Sequence, residues 1–412
     1  MVASFENGEE ALQWLYSQQQ LGVKLGLENV RRLLAAAGLS EKEMRFVHVA
    51  GTNGKGSTCA FIHSLLVAAG ERGVGLFTSP HLVRFNERIR DEVGEIPGAD
   101  LQELLGQLRD LTRTWPNSPT FFELALVLGV LWFKKQKCTW AVMETGLGGR
   151  LDATNVVLPE VCVITRIGMD HMEMLGPTLA DIAAEKAGII KPGVPVVTGP
   201  QEAVVMQVLE RVANERQAPL IQVTEPWTAS EIGFSGEHQC WNAALAVAAV
   251  RALPLCLEES ALRQALAETR WPGRFEQLPN GVILDGAHNE DGMAALVNTW
   301  KARQGAERAT VVVGMVREKA VDAMLERLSE VVGRWIVSGF QSPRALSPGE
   351  LRARLQALGV TAPIEEHDRV QDALAAAQKT GEPILVCGSL YLVGEARSLL
   401  VDGSAGFERS SQ

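Results

Sequence analysis

Gly51-Thr52-Asn53-Gly54-Lys55-Gly56-Ser57 has the residue types that bind phosphate. Glycines let backbone N–H groups turn inward around an anion, and a following helix adds the partial positive charge of its N-terminus. Lys55 brings a mobile charge for the outer phosphates, and Ser57 a hydroxyl for a phosphate or a metal ion. The spacing departs from the general G-x-x-x-x-G-K-[S/T] loop: Val49 stands at the first glycine, and Gly56 separates the lysine from the serine. The bland alternative is a glycine-rich turn that happens to hold a lysine. Glu144 ends an apolar run that starts at Trp140, and a carboxylate at a strand end can hold Mg2+. The bland alternative is a strand-end acid on the surface. Asp170-His171 follows the apolar run 161–165. That imidazole could complete a metal shell or serve structure only. Lys186, in Ala184-Glu-Lys-Ala-Gly188, reads by itself as a solvated helix lysine, because a cation beside Mg2+ would repel it.

These groups need a scaffold that brings them to one edge. Residues 46–50 form a short apolar run entering the loop, and a helical pattern follows it through Leu66. Strand, glycine-rich loop and helix in that order is the context a phosphate loop requires. Runs at 73–77, 139–143, 161–165 and 194–198 predict further strands, with helices at 99–111 and 122–134. This alternation predicts a mostly parallel sheet with helices on both faces. A second alternation, with strands at 282–284, 309–313, 335–338 and 384–386, predicts a smaller Rossmann-like α/β domain. Turn formers at 271–275 and 278–281 lie between the blocks. The expected organisation is an ATP-binding domain over 1–272, a linker over 273–280 and a C-terminal α/β domain over 281–412. Helical spacing is expected over 8–37, and a loose tail from Asp402.

Length and composition agree. At about 150 residues per domain, 412 residues suggest two or three domains. Hydrophobic residues at 46% and charged residues at 21% exclude a disordered chain or a collagen-like repeat. The 39 basic and 49 acidic residues leave a net charge of −10, which gives no global attraction to nucleic acid or an anionic membrane. Phosphate must therefore be held by local donors. The six cysteines, at 59, 138, 162, 240, 256 and 387, form no CxxC pair and suit a reducing compartment. No run approaches the length of a membrane span, and residues 1–20 lack the apolar core of a signal peptide, so a cytoplasmic protein is expected.

Taken together, the motifs resemble the folylpolyglutamate synthase/dihydrofolate synthase family of Mur-type ATP-dependent amide ligases. The resemblance rests on AGTNGKGST at 50–58, TSPHLVRFNERIR at 78–90, TFFEL at 120–124 and ETGLGGRLDATNV at 144–156. It continues through MDHMEMLGPTLADIAAEKAGIIKPG at 169–193, HQCWNAALA at 238–246, WPGRFE at 271–276, LDGAHN at 284–289 and GSLYLVGEAR at 388–397. Nine motifs in the family's order cover nearly the whole chain. The resemblance implies that Gly51, Thr52, Asn53, Gly54, Lys55, Gly56 and Ser57 hold the ATP phosphates. It assigns Asn242 to the base, Asp285 with His288 to the ribose, and Arg274 to the γ-phosphate across the domain junction. Read alone, Arg274 could be a linker arginine in a surface ion pair, and Asp285 and His288 a strand-end cap and a surface imidazole. By the same resemblance Ser79, Glu144 and His171 would ligate magnesium, with Ser57 beside them. Lys186 matches a lysine that members carry as a carbamate, an anionic oxygen ligand suited to a second Mg2+. The pterin end would lie against Thr120, Phe121, Phe122 and Glu123 and against Leu151, Asp152 and Ala153, near Leu25 and Gly26. Lys55, Lys186, His171 and Arg274 would serve catalysis.

The implied reaction activates a substrate carboxylate as an acyl phosphate, which the amine of L-glutamate then attacks. Such chemistry needs charge neutralisation around a triphosphate, not a nucleophilic side chain. Two Mg2+ ions can clamp the phosphoryl oxygens. ATP, L-glutamate and either tetrahydrofolate or dihydropteroate are the expected partners, and a monomer is expected. Glu318 stands where members often carry an aspartate, and Lys24 where some bifunctional members carry an acid. The rival readings are another Mur-superfamily ligase and a phosphate-loop ATPase switch.

Overall fold

Apolar runs bounded by turn formers become the central strands of two sheets in the computed structural model, which describes residues 5–21, 26–401 and 408. The chain divides into two units. The first holds the described residues up to Pro80, Asn86–Ile232 and Cys240–Thr269, and the second holds His81–Phe85, Gly233–Gln239 and the described residues from Arg270.

The first unit is built on a seven-stranded sheet: β1 Arg45–Ala50, β2 Val74–Phe77, β3 Ile89–Arg90, β4 Trp140–Glu144, β5 Pro159–Ile164, β6 Val196–Thr198 and β7 Leu220–Gln222. Their order is β3-β2-β4-β1-β5-β6-β7, parallel except for the β2–β3 pair. β1 lies between β4 and β5, with Val49 opposite Glu144 and Ala50 opposite Ile164. That register places the phosphate loop, Glu144 and the turn after Ile164 at one carboxyl edge of the sheet. Ligands gather at such an edge in open α/β sheets. The helices Lys55–Ala68 and Phe121–Lys135 are buried along most of their length, as parallel sheets covered on both faces require. The predicted helix over 8–37 is interrupted: helices span Gly8–Ser17 and Glu28–Ala36, with a 3-10 turn at Gln18–Leu21. Gly26, at φ 140°, adopts backbone that helical residues do not.

The second unit has a six-stranded sheet of β8 Glu276–Gln277, β9 Ile283–Leu284, β10 Ala309–Val313, β11 Val332–Ser338, β12 Ile364–His367 and β13 Ile384–Cys387. The order is β12-β11-β10-β13-β9-β8, parallel but for the last pair. Residues 273–280, expected as a linker, instead belong to this unit. Its turn formers make a hairpin in which Leu278 and Val282 pair and Gly281 sits at φ 84°, so β8 becomes an edge strand. The core contains Trp300 and Trp335, both fully buried. Among the described residues, no helix is long and apolar enough to cross a membrane.

Candidate active site

The phosphate loop is shaped by close contacts on both sides. Gly51 has φ 153°, and a Cβ there would stand 1.8 Å from Thr165 Oγ1. Gly54 is left-handed, φ 89°, and a Cβ there would stand 2.4 Å from Asn242 Oδ1. Only glycine fits either position. Asn242, assigned to the nucleotide, is thereby brought against the loop. Thr52 N and Asn53 N donate to Arg166 O at 2.9 and 3.2 Å. Thr52 Oγ1 donates to Gly168 O and accepts from Gly168 N, both at 3.1 Å. The loop is thus fastened to the turn after β5. Gly54 caps the helix Lys55–Ala68, whose first turn holds Gly56 and Ser57.

Two lysines converge on one carbonyl. Lys55 Nζ donates to Gly51 O at 3.1 Å and Thr52 O at 3.2 Å, and Lys186 Nζ donates to Gly51 O at 2.8 Å. Lys186 is not a solvated helix lysine: it is 4% exposed, on the inner face of the helix Leu179–Ala187. Burial, reinforced by the neighbouring Lys55 charge and opposed by Asp170 and Asp152, pushes its ammonium down to about 7. A substantial share of this side chain is therefore neutral amine near neutral pH. The approach of this helix depends on Gly149 and Gly188: a Cβ at Gly149 would lie 2.8 Å from Glu185 O, and one at Gly188 would lie 2.3 Å from Arg150 Cβ.

The hydroxyls expected to face a metal are buried and available. Ser57 Oγ and Ser79 Oγ have no hydrogen-bond partner among the described residues. Glu144 is 4% exposed, and Glu144 Oε2 accepts from Ser79 N at 3.0 Å. Buried hydroxyls without a partner are costly unless a ligand completes them. Oxygen donors with one carboxylate suit Mg2+, which keeps waters and phosphate oxygens in its shell. Among the described residues no three His, Cys, Asp or Glu side chains form a metal-holding group. His171 caps a one-turn helix with left-handed backbone, φ 51°, and its ring is 47% exposed beside Asp170.

On the side assigned to the pterin, Thr120 caps the helix Phe121–Lys135, and Glu123 closes a capping box with it. Glu123 Oε2 also accepts from Asn29 Nδ2 at 3.0 Å. Phe121 stacks on Tyr16 at 5.7 Å and lies under the buried Arg88, while Phe122 packs against Phe77 and Gly146. Asp152 is buried, and burial raises its carboxyl despite donation from Leu147 N, Thr154 N and Thr154 Oγ1. Ala153 is buried, Leu151 and Gly26 are half-buried, and Leu25 and Lys24 lie outside the described residues.

In the second unit, Asp285 is buried at the end of β9. Its oxygens accept from Phe275 N at 2.8 Å and Ala287 N at 2.9 Å. Burial raises this carboxyl and the nearby Arg274 charge opposes the rise. Arg274 Nη1 donates to Gly273 O at 3.1 Å, and His288 Nδ1 lies 2.8 Å from Gly286 O. A Cβ at Gly286 would come within 2.5 Å of Arg274 Nη1, so these residues form one compact group. Burial, with Arg274, holds His238 down to about 4.

Several site residues escaped the reading of motifs. Thr165, Arg166 and Gly168 fasten the phosphate loop but follow an ordinary strand. His48 is fully buried in β1. A histidine inside the apolar run Phe46-Val-His-Val-Ala was itself a signal, since a buried polar group needs a partner.

Comparison with known proteins identifies the family. The Mur ligase middle domain matches residues 49–197, and the Mur ligase glutamate ligase domain matches residues 273–390. The chain is 37% identical over 428 residues to the dihydrofolate synthase/folylpolyglutamate synthase of Bacillus subtilis, covering 95% of this chain and 99% of that protein. It is 32% identical over 438 residues to the folylpolyglutamate synthase of Lacticaseibacillus casei, covering 97% and 100%. The structure of Escherichia coli FolC in complex with DHPP and ADP aligns with a TM-score of 0.86 at 32% identity, covering 96% of this chain and 98% of that one. With both domains and nearly the full length matched, the chain belongs to the folylpolyglutamate synthase/dihydrofolate synthase family.

Proposed function

We propose that the protein is an ATP-dependent ligase that joins L-glutamate to tetrahydrofolate, extending the glutamate chain, and to dihydropteroate, forming dihydrofolate. The observation that carries this reading is the loop with two lysines on Gly51 O, in one unit with the carboxylate of Glu144 and the hydroxyls of Ser57 and Ser79, which have no partner among the described residues. It occurs in a chain whose full-length relatives are named for these two activities.

A carboxylate is a poor electrophile, so the reaction starts by making it one. The backbone N–H groups of the first helical turn, Lys55, Gly56 and Ser57, with the Lys55 ammonium, hold the triphosphate, while Thr52 and Asn53, whose N–H groups are spent on Arg166 O, shape the loop; Asn242, Arg274, Asp285 and His288 are assigned to the nucleotide. A substrate carboxylate oxygen attacks the γ-phosphorus, the bond to ADP breaks, and an acyl phosphate forms. The glutamate amine then attacks the acyl carbon, loses a proton, and inorganic phosphate leaves. Ser57, Ser79, Glu144 and His171 are the groups we assign to Mg2+, which when bound would neutralise charge on the phosphoryl oxygens. Lys186 is assigned as a carbamate: its neutral amine adds to CO2 and releases a proton, turning a cation into an anionic oxygen ligand. Thr120–Glu123 and Leu151–Ala153, with Leu25 and Gly26, are assigned to the pteroyl substrate.

The test supplies ATP, Mg2+ and L-glutamate with tetrahydrofolate or dihydropteroate. Phosphate release is expected with each and in the absence of neither glutamate nor pteroyl substrate. Release that ignores both co-substrates would instead mark an ATPase switch, and release only with a cell-wall nucleotide another Mur ligase.

A further inference from the structure

His48 stands inside β1, fully buried, with Met143 of β4 and Cys162 of β5 as its register neighbours. Its Nε2 lies 2.9 Å from Thr154 Oγ1, and Thr154 Oγ1 lies 2.5 Å from Asp152 Oδ1. Thr154 N also donates to Asp152 Oδ1 at 3.0 Å, and Leu147 N to Asp152 Oδ2 at 2.8 Å. His48 Nδ1 is buried with no partner among the described residues.

Counting protons fixes the direction of this chain. Thr154 has one hydroxyl proton. If it goes to Asp152, the oxygen must accept from His48, which then carries its proton on Nε2 and leaves Nδ1 a bare lone pair. In the reverse order Asp152 would be protonated and Thr154 would donate to Nε2. His48 would then hold an N–H on Nδ1, buried with no acceptor. Burial raises the Asp152 carboxyl, but backbone donors on both of its oxygens oppose that rise, and an orphaned buried N–H on His48 disfavours the reverse order. The nearby charge is Lys191, anchored on Asn155 at 2.7 Å, which disfavours a cationic His48.

We propose that His48 is a positioning residue: through the Thr154 hydroxyl it presents Asp152 as an acceptor carboxylate to the N–H edge of the pteridine ring. The proposal rests on the reading that Asp152 faces the pteroyl substrate.

The test measures KM for tetrahydrofolate, ATP and glutamate in the full chain by phosphate release. His48→Leu and Thr154→Val each remove one link and should raise KM for tetrahydrofolate, several-fold for the neutral bond lost in His48→Leu and about tenfold or more for the bond to a charged group lost in Thr154→Val, with KM for ATP within about twofold. His48→Gln, which keeps an amide N–H at similar reach, and Thr154→Ser should restore the wild-type KM. Thr154→Val keeps the test open if His48→Leu does not fold. An unmoved KM for tetrahydrofolate, an equal rise in all three constants, or His48→Gln as impaired as His48→Leu would overturn the proposal. A wild-type protein that releases no phosphate with either pteroyl substrate would instead refute the ligase reading on which it rests.

Discussion

Lys55 and Lys186 donate to the same oxygen, the carbonyl of Gly51, from 3.1 and 2.8 Å. One acceptor cannot neutralise two ammonium groups, and the two face it unequally. Lys55 is on the loop and half-buried, whereas Lys186 is buried almost completely. The lysine with least access to water loses its proton most readily. Burial, reinforced by the Lys55 charge, therefore brings Lys186 close to the neutral amine, the form of a lysine that reacts with CO2.

The carbamate assignment predicts a dependence on dissolved CO2. Depleting bicarbonate should lower the ligase rate, and adding it back should restore the rate. Lys186→Ala should lose at least about a hundredfold in kcat, the scale of a lost electrostatic stabiliser. Activity in Lys186→Ala equal to wild type would exclude a carbamate.

The same burial makes a stability prediction of opposite sign. The folded-state pKa of Lys186, about 7, is below the ordinary lysine value, so between pH 7 and 10.5 the unfolded chain binds more protons. Stability from this group therefore rises with pH across that window. Lys186→Met removes the penalty and should stabilise the unliganded protein near neutral pH by about 1–3 kcal/mol while abolishing activity. Thermal melts at pH 7 and pH 9 check both parts: the gain should shrink at the higher pH.

Glycine positions separate close contact from strain alone. At Gly54 and Gly281 the backbone is left-handed to a similar degree, φ 89° and 84°. A Cβ at Gly54 meets Asn242, and one at Gly281 meets nothing within 4 Å. Gly281→Ala should cost about 1–2 kcal/mol of stability with normal kinetics. Gly54→Ala should weaken ATP binding at least about tenfold, because loop or Asn242 must move. Nucleotide titration and denaturant unfolding of both variants distinguish the two costs.

How far the sequence could be read follows a physical line through both sheets. The central strands β1, β4, β5, β10 and β13 are buried on both faces and read as apolar runs. The strands that were missed, β3, β7, β8 and β12, are the four sheet edges. They are short or polar, as in Ile364-Glu-Glu-His367, because an edge half in water needs no apolar run. At the site, the loop glycines, Lys55 and Glu144 were legible from type and spacing. The burial of Lys186 was not: its helix has polar neighbours, Glu185 among them, and only packing against Gly149 shows which face is inward. Thr165 and Asn242 met the loop through contacts far apart in sequence, which no local pattern encodes.

Ser57 and Ser79 test the metal assignment from the protein's side. Each buries a hydroxyl without a partner among the described residues, so replacement by alanine removes an unsatisfied group. The unliganded melting temperature of Ser57→Ala and Ser79→Ala should stay level or rise. The Mg2+ concentration for half-maximal rate should increase several-fold in each. A fall in unliganded stability with unchanged Mg2+ dependence would contradict the assignment.

The lysine pair also predicts a shift in pH dependence that activity alone would not reveal. Lys55 is the second cause, after burial, of the low proton affinity of Lys186. Removing that charge in Lys55→Ala should let the Lys186 pKa rise above about 7, so a given amount of neutral amine appears only at higher pH. Carbamate formation, followed by 13C NMR with labelled bicarbonate, should therefore move to higher pH in Lys55→Ala. Lys55→Arg, which keeps the charge, should leave the profile near wild type. The readout needs no turnover, so it survives any loss of phosphate binding in Lys55→Ala. An unshifted carbamate profile would mean that burial alone sets the state of Lys186, and that the shared carbonyl of Gly51 couples the two lysines in position but not in charge.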